Sequence, residues 1–174
     1  MFKATLAFLL VFGATAALAQ EPVTYSSDPE SLFTSKDKKL NKNKQAAMHI
    51  MRDLLEANHW DEAQNWLTER YLQHNPAVAS GRAGVVAFFG NNPSRPKTPL
   101  PGPKDWKTRV VSVVAEGDLV VVGVQREFDN PRKPGTKYTT TWFDMWRFVD
   151  GKADEHWDYG TIAPPAPPAP GAKK

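Results

Sequence analysis

The segment from Trp142 to Tyr159 constrains the fold more than any other part of this sequence. Two stretches rich in aromatic and β-branched residues flank the pair Asp150–Gly151, a combination typical of a β-hairpin with a tight turn. The hairpin also carries acidic and imidazole side chains among large aromatic rings: Asp144, His156 and Asp158, with Trp142, Trp146 and Trp157. Ionisable groups in apolar surroundings are characteristic of acid/base sites, so this hairpin is the first candidate for a functional site.

The register of the hairpin decides which of these side chains share a face, because directly opposed residues of an antiparallel pair point the same way. A two-residue turn at Asp150–Gly151 places Asp144 opposite Trp157, with Asp144 and Asp158 on opposite faces. A three-residue turn over residues 149–151 places Asp144 opposite His156 and Asp158 opposite Trp142, on one face with Trp146. The sequence is compatible with both turns, and a site on this hairpin requires the second.

Two sequence motifs resemble the SnoaL-like proteins of the nuclear transport factor 2-like superfamily. The first comprises residues 71–76, Tyr-Leu-Gln-His-Asn-Pro, followed by Gly81 and the apolar run 85–89, Val-Val-Ala-Phe-Phe. The second comprises residues 144–152, Asp-Met-Trp-Arg-Phe-Val-Asp-Gly-Lys, and residues 155–158, Glu-His-Trp-Asp. The resemblance covers about residues 44–159. It implies an α+β cone-shaped barrel, in which a curved antiparallel sheet packs on N-terminal helices around a pocket.

The resemblance also implies roles for individual residues. In the polyketide cyclases of this family, an aspartate on the last strand is the acid/base of an intramolecular aldol closure, and Asp158 occupies that position. Their partner histidine falls where this chain has Asp144, so the proton chemistry of the pair differs from the family pattern. His156 is the third predicted member of the site. The predicted substrate-binding residues border the pocket: Tyr71, His74, Asn75, Trp142 and Trp146.

Each of these residues also has an ordinary structural interpretation. The strand face that carries Asp154, His156 and Asp158 could simply be a polar, solvent-facing surface. An Asp144–His156 pair could do no more than satisfy its own hydrogen bonds. His74 and Asn75 at the end of a helix could serve its exposed carbonyl groups.

The spacing of apolar residues predicts three helices followed by four antiparallel strands, which is an α+β order. The helices are predicted over residues 44–57, from Asp61 to about residue 75, and over residues 81–89. A proline-rich loop over residues 91–105 follows, and loops of this length are often lids or binding loops, although an insertion without a role is equally compatible. The strands are predicted at residues 106–116, at 118–128 and in the hairpin that begins at Tyr138.

The two ends of the chain predict export and a flexible tail. Residues 1–19 have the pattern of a secretory signal peptide: Lys3, then an apolar run, then the small residues Ala17 and Ala19 at a cleavage site. The mature protein is therefore expected to be periplasmic or secreted, without stable membrane insertion after cleavage. We predict a polar leader at residues 20–43, one domain at 44–160 and a disordered proline-rich tail at 161–174.

Composition and motifs exclude several function classes. The 174 residues include no cysteine, so neither disulfides nor thiol chemistry is available. A net charge of +3 without a basic patch does not indicate nucleic-acid binding. No motif for a metal, phosphate loop or nucleophile elbow occurs, so neither metal nor cofactor is predicted, although two histidines and two aspartates could converge on zinc. Two hypotheses remain: an acid/base enzyme acting on a small apolar carbonyl compound, and a non-catalytic binding or dimeric interaction module. The outward aromatics Trp157 and Tyr159 are candidates for a homodimer interface.

Overall fold

The computed structural model describes residues 21–162, in which five strands form one sheet. The predicted signal peptide and nearly all of the predicted tail lie outside the described residues. In chain order the strands are Leu67–Gln73 (β1), Val110–Glu116 (β2), Leu119–Asp129 (β3), Lys137–Val149 (β4) and Lys152–Trp157 (β5). The sheet order is β1-β5-β4-β3-β2. Strands β2 to β5 are antiparallel neighbours, as predicted, whereas β1 pairs with β5 in parallel and makes the sheet mixed.

Helices lie before and between the strands. They are a 3₁₀ turn at Glu30–Phe33, α1 at Lys38–His49, a π-helix at Ile50–Glu56, a 3₁₀ turn at Trp60–Glu62, α2 at Ala63–Trp66 and α3 at Arg82–Gly90. The α+β class and the nuclear transport factor 2-like cone are confirmed. Within residues 21–162 no helix combines the length and apolar character needed to cross a bilayer.

The N-terminal part of the domain begins earlier than the sequence predicts. Asp37 caps α1 by accepting a hydrogen bond from the backbone N–H of Leu40 at 2.9 Å, so the helix starts within the predicted polar leader. Phe33, in the same leader, is fully buried in the core. Lys38, Lys39 and Lys42 lie on the exposed side of this amphipathic helix, whose other side packs on the sheet.

The main core lies between α1 with its π-helical continuation and the concave face of the sheet. Its helical side is supplied by Ala47, Ile50, Met51 and Leu54. Its sheet side consists of residues that alternate along β3 and β4: Val120, Val122, Val124, Trp146 and Phe148. The alternation fixes which face of each strand turns inward.

The predicted second helix is wrong beyond Trp66, where the chain continues as strand β1. Leu67 and Tyr71 are the buried residues of this strand, and their spacing of four places them on one face of a strand as well as of a helix. Pairing with β5 decides between the two, because Leu72 and Gln73 lie beside Glu155 and His156 in a parallel ladder. Tertiary pairing therefore overrides the local pattern.

Of the two hairpin turns compatible with the sequence, the two-residue turn forms, and not the three-residue turn that the proposed site was expected to require. Val149 pairs with Lys152, and the two residues between them, Asp150 and Gly151, have φ of 52° and 83°. Positive φ at both positions is the two-residue turn whose twist suits a hairpin. The register then shifts by one residue, since Phe148 pairs with Ala153 but Arg147 pairs with Glu155. Asp154 is the extra residue of this β-bulge.

Candidate active site

The bulge at Asp154 brings the predicted acid/base residues onto one face in spite of the two-residue turn. Beyond the bulge Trp146 pairs with His156 and Met145 with Trp157. Continued by one step, this register sets Asp144 opposite Asp158, rather than opposite His156 as predicted. Asp144 and His156 still meet diagonally, with His156 Nε2 3.1 Å from Asp144 Oδ1.

Asp154 itself holds the bulge against the neighbouring strand. Its carboxylate accepts hydrogen bonds from Thr68 Oγ1 at 2.7 Å and from Arg70 Nη2 at 2.6 Å, both on β1. The hydrogen bond from the Arg70 guanidinium lowers the pKa of this carboxyl below its usual value. The Asp154 carboxylate thus finds its hydrogen-bond donors on β1. These hydrogen bonds stabilise the bulge and, with it, the register that brings Asp144 and Asp158 onto one face.

His156 is buried and held from both sides. Its Nδ1 lies 2.8 Å from Gln73 Oε1 on β1, and its Nε2 faces Asp144 on β4. The Trp146 ring packs on the imidazole with the ring centroids 5.1 Å apart. Contacts on both nitrogens and on one ring face leave the imidazole little freedom to rotate.

Asp158 is fixed by two donors outside the hairpin ladder. Asn75 Nδ2 donates to Asp158 Oδ2 at 2.8 Å, and the backbone N–H of Gly160 donates to Asp158 Oδ1 at 2.8 Å. The Gly160 backbone passes so close to Asn75 that a Cβ at residue 160 would lie 2.4 Å from the Asn75 amide. The predicted substrate-binding residue Asn75 is thus a direct hydrogen-bond donor to Asp158, the predicted acid/base residue.

Tyr71 and Trp146 form the floor beside this group. The Trp146 indole N–H donates to the Tyr71 hydroxyl at 3.0 Å, and both side chains are almost completely buried. Burial raises the pKa of the Tyr71 hydroxyl, so Tyr71 keeps its proton at neutral pH. Since its oxygen accepts from Trp146, its own O–H can donate into the cavity.

Two connected cavities meet at the acids. The inner cavity has a volume of about 60 Å³, and its walls are mostly apolar. The outer cavity, about 710 Å³, opens to solvent between the π-helix and strands β3 and β4. Four residues line both: Leu55, Phe89, Asp144 and Asp158. The carboxylates therefore stand where an apolar chamber joins a wide mouth, the arrangement expected of a ligand site.

The mouth is rich in basic side chains. Arg95, Lys107, Arg109 and Arg126 line it together with Glu56 and Glu127. Glu56 is occupied by the backbone N–H groups of residues 107 and 108, each at 2.8 Å. Glu127 is paired with Lys137 at 3.0 Å. Both acidic charges of the mouth are therefore already engaged.

The cluster also has the spacing that a divalent cation would need. Ligand atoms of Asp144, His156 and Asp158 lie within 4.8 Å of one another. Imidazole and carboxylate donors suit several divalent metals, so the donor set alone does not select one. The sequence-based prediction of a metal-free site stays a prediction.

The structure places two predicted binding residues differently from the rest. His74 is half exposed outside both cavities, where its Nε2 lies 2.9 Å from Glu155 Oε1 and its ring stacks on Trp157. Contrary to the prediction, His74 therefore does not border the pocket. Trp142 lines the outer cavity but not the inner one, whereas Trp146 lines the inner one.

Gln73 is the contact residue that sequence reasoning missed, and the signal was present. Once residues 67–73 are recognised as a strand, Tyr71, Gln73 and Asn75 follow one another at intervals of two and share a face. That face is the one that meets Trp146, His156 and Asp158. His74, at the intervening position, turns away, as the same alternation requires.

The opposite face of the hairpin is apolar and open. A third cavity of about 690 Å³ lies there, lined by Phe128, Phe143, Met145, Trp157 and Tyr159 among others. Phe143 is 54% exposed and Tyr159 76% exposed. An apolar face of this kind is typical of an interaction surface.

This chain is similar to several solved structures, and the one with a TM-score of 0.50 supports the fold. A proposed polyketide cyclase from Bacillus cereus ATCC 10987 shares 16% sequence identity over 79% of this chain and 84% of its own, with a TM-score of 0.50. TsrD from Streptomyces laurentii shares 21% identity over 71% of this chain and 90% of its own, with a TM-score of 0.48. A proposed ketosteroid isomerase from Kribbella flavida DSM 17836 shares 22% sequence identity over 74% of this chain and 84% of its own, with a TM-score of 0.46.

No functionally curated protein matches this chain. The family assignment therefore comes from the domain itself. The SnoaL-like domain matches residues 49–156, which include β1, β4, nearly all of β5, and Gln73 and Asp144 on the two sides of His156. Because that match spans more than half of the sequence, this protein belongs to the SnoaL-like family.

Proposed function

We propose that this protein is an enzyme that performs acid/base catalysis without a cofactor on a small apolar carbonyl compound, by aldol-type cyclisation, isomerisation or hydration. One observation carries the proposal: Asp158 and Asp144 stand beside His156 at the junction of an apolar chamber and an open mouth. SnoaL-like and related folds are shared by proposed polyketide cyclases and a proposed ketosteroid isomerase, which supports chemistry of this class.

Asp158 is the proposed general acid/base and Asp144 its partner. As a base, the Asp158 carboxylate takes a proton from the carbon next to the substrate carbonyl, and the electron pair of the broken C–H bond passes to the carbonyl oxygen. The Tyr71 O–H is suited to donate a hydrogen bond to that oxygen as its charge develops. Asp158 then returns the proton, to another carbon in an isomerisation or to an oxygen after ring closure.

The test begins with the ligand. Native mass spectrometry of the purified protein is expected to show a carried-over carbonyl compound. That compound is then incubated in D₂O with the wild-type protein, and exchange of its α-hydrogens is followed by NMR. Asp158→Asn is expected to slow exchange by about 10²- to 10⁴-fold, the range for a lost general base. Asp150→Asn, which removes a carboxylate from the turn of the same hairpin, is the matched control and should exchange normally.

The alternative is a non-catalytic module that binds a small apolar ligand or pairs with another copy through its sheet. The open apolar face around Phe143 and Tyr159 favours it. Ligand affinity that persists in Asp158→Asn, with no α-hydrogen exchange in the wild-type protein, would establish this alternative and refute the enzyme.

We also propose that the protein is a homodimer and that it is exported. The dimer interface is the outer face of β4 and β5, where Trp157 and Tyr159 lie. Export rests on the signal-peptide pattern of residues 1–19. N-terminal sequencing of the protein recovered from cells is expected to begin near Gln20, and a sequence that begins at Met1 would refute export.

A further inference from the structure

The charges at the outer cavity are unevenly paired. Two of its four basic residues already have partners: Arg95 donates to the backbone carbonyl of Leu55, and Arg109 donates to Gln125 Oε1 at 2.7 Å. Lys107 and Arg126 are exposed and form no ion pair with a carboxylate of the described residues. The Arg126 guanidinium instead lies over the Trp142 ring, 6.0 Å from its centroid.

The deep end of the same cavity has the opposite charge. Asp144 and Asp158 line it there, and the acidic residues of the mouth are engaged elsewhere. An anionic group is attracted to the mouth and repelled from the depth, because the sign of the nearest charges changes along the cavity. The apolar walls between the two ends include Met51, Leu55 and Phe89.

We infer that the mouth binds the carboxylate of an amphipathic substrate, whose apolar, carbonyl-bearing part extends inward to Asp158. This inference rests on the proposed function for the identity of the inner part, whereas the binding of an anionic group at Arg126 stands on the mouth alone. The planar guanidinium over Trp142 matches a carboxylate in a two-pronged contact, and Lys107 adds a second positive charge.

The test compares two probes of equal chain length, octanoate and octan-1-ol, by isothermal titration calorimetry. Wild-type protein is expected to prefer octanoate by about three- to tenfold, the range for one or two exposed ion pairs. The preference should shrink as sodium chloride is raised, because salt screens exposed charges. The double variant Lys107→Gln/Arg126→Gln should bind both probes equally. Arg132→Gln, an exposed cation in the β3–β4 turn, is the matched control.

Equal binding of the two probes by the wild-type protein would overturn the inference, and so would a preference that survives in the double variant. The result is independent of catalysis. If the wild-type protein showed no α-hydrogen exchange but still preferred octanoate to octan-1-ol, the proposed function would be refuted and the anion site would stand.

A second observation concerns the buried histidine. Gln73 Oε1 accepts a hydrogen bond from the backbone N–H of Asn75 at 3.0 Å, which identifies that atom as the oxygen of the amide. The same oxygen lies 2.8 Å from His156 Nδ1. An amide oxygen only accepts hydrogen bonds, so Nδ1 must carry a hydrogen. The Gln73 backbone is itself anchored, since its N–H donates to Ser80 Oγ at 2.9 Å.

We infer that Gln73 is a positioning residue that sets the tautomer of His156 and directs its Nε2 at the carboxylates. With the hydrogen on Nδ1, Nε2 is the nitrogen that faces Asp144, 3.1 Å from its Oδ1. The charged and titratable side chains around it are Asp144, Asp158 and Tyr71. Asp158 is then the carboxylate left to exchange protons with a substrate.

The inference is tested on protein labelled with ¹⁵N-histidine by long-range ¹H–¹⁵N correlation NMR, without any substrate. The His156 signals are identified by their loss in His156→Gln. Wild-type protein is expected to show hydrogen on Nδ1. Gln73→Leu, which removes the acceptor, should lose the Nδ1 signature, whereas Gln73→Glu should keep it because a carboxylate also accepts.

An Nδ1 without hydrogen in the wild-type protein would overturn this inference. An unchanged spectrum in Gln73→Leu would do the same, because the tautomer would then be set elsewhere.

Discussion

The two faces of the β4–β5 hairpin reverse the usual distribution of polar and apolar residues. The inner face carries Asp144, His156 and Asp158 beside the buried Trp146. The outer face carries exposed aromatic side chains such as Phe143. The inner polar groups are tolerated because β1 supplies Gln73 and Asn75 as hydrogen-bond partners. The partnered polar interior and the uncovered apolar exterior are the observations behind the proposed pocket inside and the proposed dimer interface outside.

The largest difference between the faces should appear in stability. Trp146→Ala removes a side chain that is 1% exposed and deprives the Tyr71 hydroxyl of its donor, so we expect a loss of about 3–5 kcal/mol in the free energy of unfolding. Phe143→Ala on the outer face should cost no more than about 1 kcal/mol in the monomer. Urea denaturation of both variants, at a concentration where the wild type is monomeric, measures the contrast. Equal losses would show that the faces do not differ as described.

The outer face should dominate association. Phe143→Lys with Tyr159→Lys places two charges in the proposed interface and is expected to weaken self-association by about tenfold or more. Trp146→Phe, on the inner face, should leave the association constant unchanged. Sedimentation velocity over a range of concentrations distinguishes the two. A wild-type protein that sediments as a monomer at every concentration would refute the proposed dimer interface.

A smaller effect is expected at the turn that joins the two strands. Gly151 has φ of 83°, and a Cβ there would meet the side chain of Lys42 on α1. Gly151→Ala should therefore cost about 1 kcal/mol of stability from backbone strain, plus any cost of displacing Lys42. Gly117→Ala has a similarly positive φ but no neighbouring atom within 4 Å, so it reports strain alone. Thermal unfolding of the pair gives the contribution of the contact with α1.

The smallest effect concerns pH and the bulge that separates the faces. The Arg70 guanidinium lowers the folded-state pKa of Asp154, so this pair stabilises the protein above the unfolded-state pKa of about 4. That stability is lost as the pH falls through the lowered folded-state pKa. Because Arg70 is largely exposed, the contribution should stay below about 1 kcal/mol.

Unfolding free energies measured between pH 6 and pH 3 should therefore fall slightly more steeply in the wild type than in Arg70→Gln. The control for a general loss of charge is Arg132→Gln. Parallel curves for wild type and Arg70→Gln would show that the ion pair does not anchor the bulge.

The hairpin and its acid/base residues could be predicted from the sequence, but the β-bulge that brings those residues onto one face could not. Asp150–Gly151 is a local signal, and its turn formed where expected. The bulge at Asp154 depends on Thr68 and Arg70, which are 86 and 84 residues away in the chain. No local pattern in the hairpin contains that information, so the sequence left the register open, and Asp144 and Asp158 share a face through the bulge and not through the three-residue turn.

The same limit explains the error at β1. Apolar residues four positions apart fit a helix and a strand equally, and the decision comes from an edge of β5 that lies far away in sequence. Reading residues 67–73 as a helix hid the alternation that distinguishes Gln73 and Asn75 from His74. The failure to predict the contact of Gln73 and the wrong placement of His74 therefore both follow from assigning residues 67–73 to a helix.

The parallel pairing of β1 with β5 also sets the order in which this domain can become functional. Gln73 and His156, like Asn75 and Asp158, are 83 residues apart in the chain. During synthesis the hairpin emerges last, so β1 waits with an unpaired edge until β5 arrives. A chain interrupted before residue 152 would lack β5 and would keep that edge exposed to other molecules. Completion of the active site and pairing of this edge of β1 are therefore the same folding event.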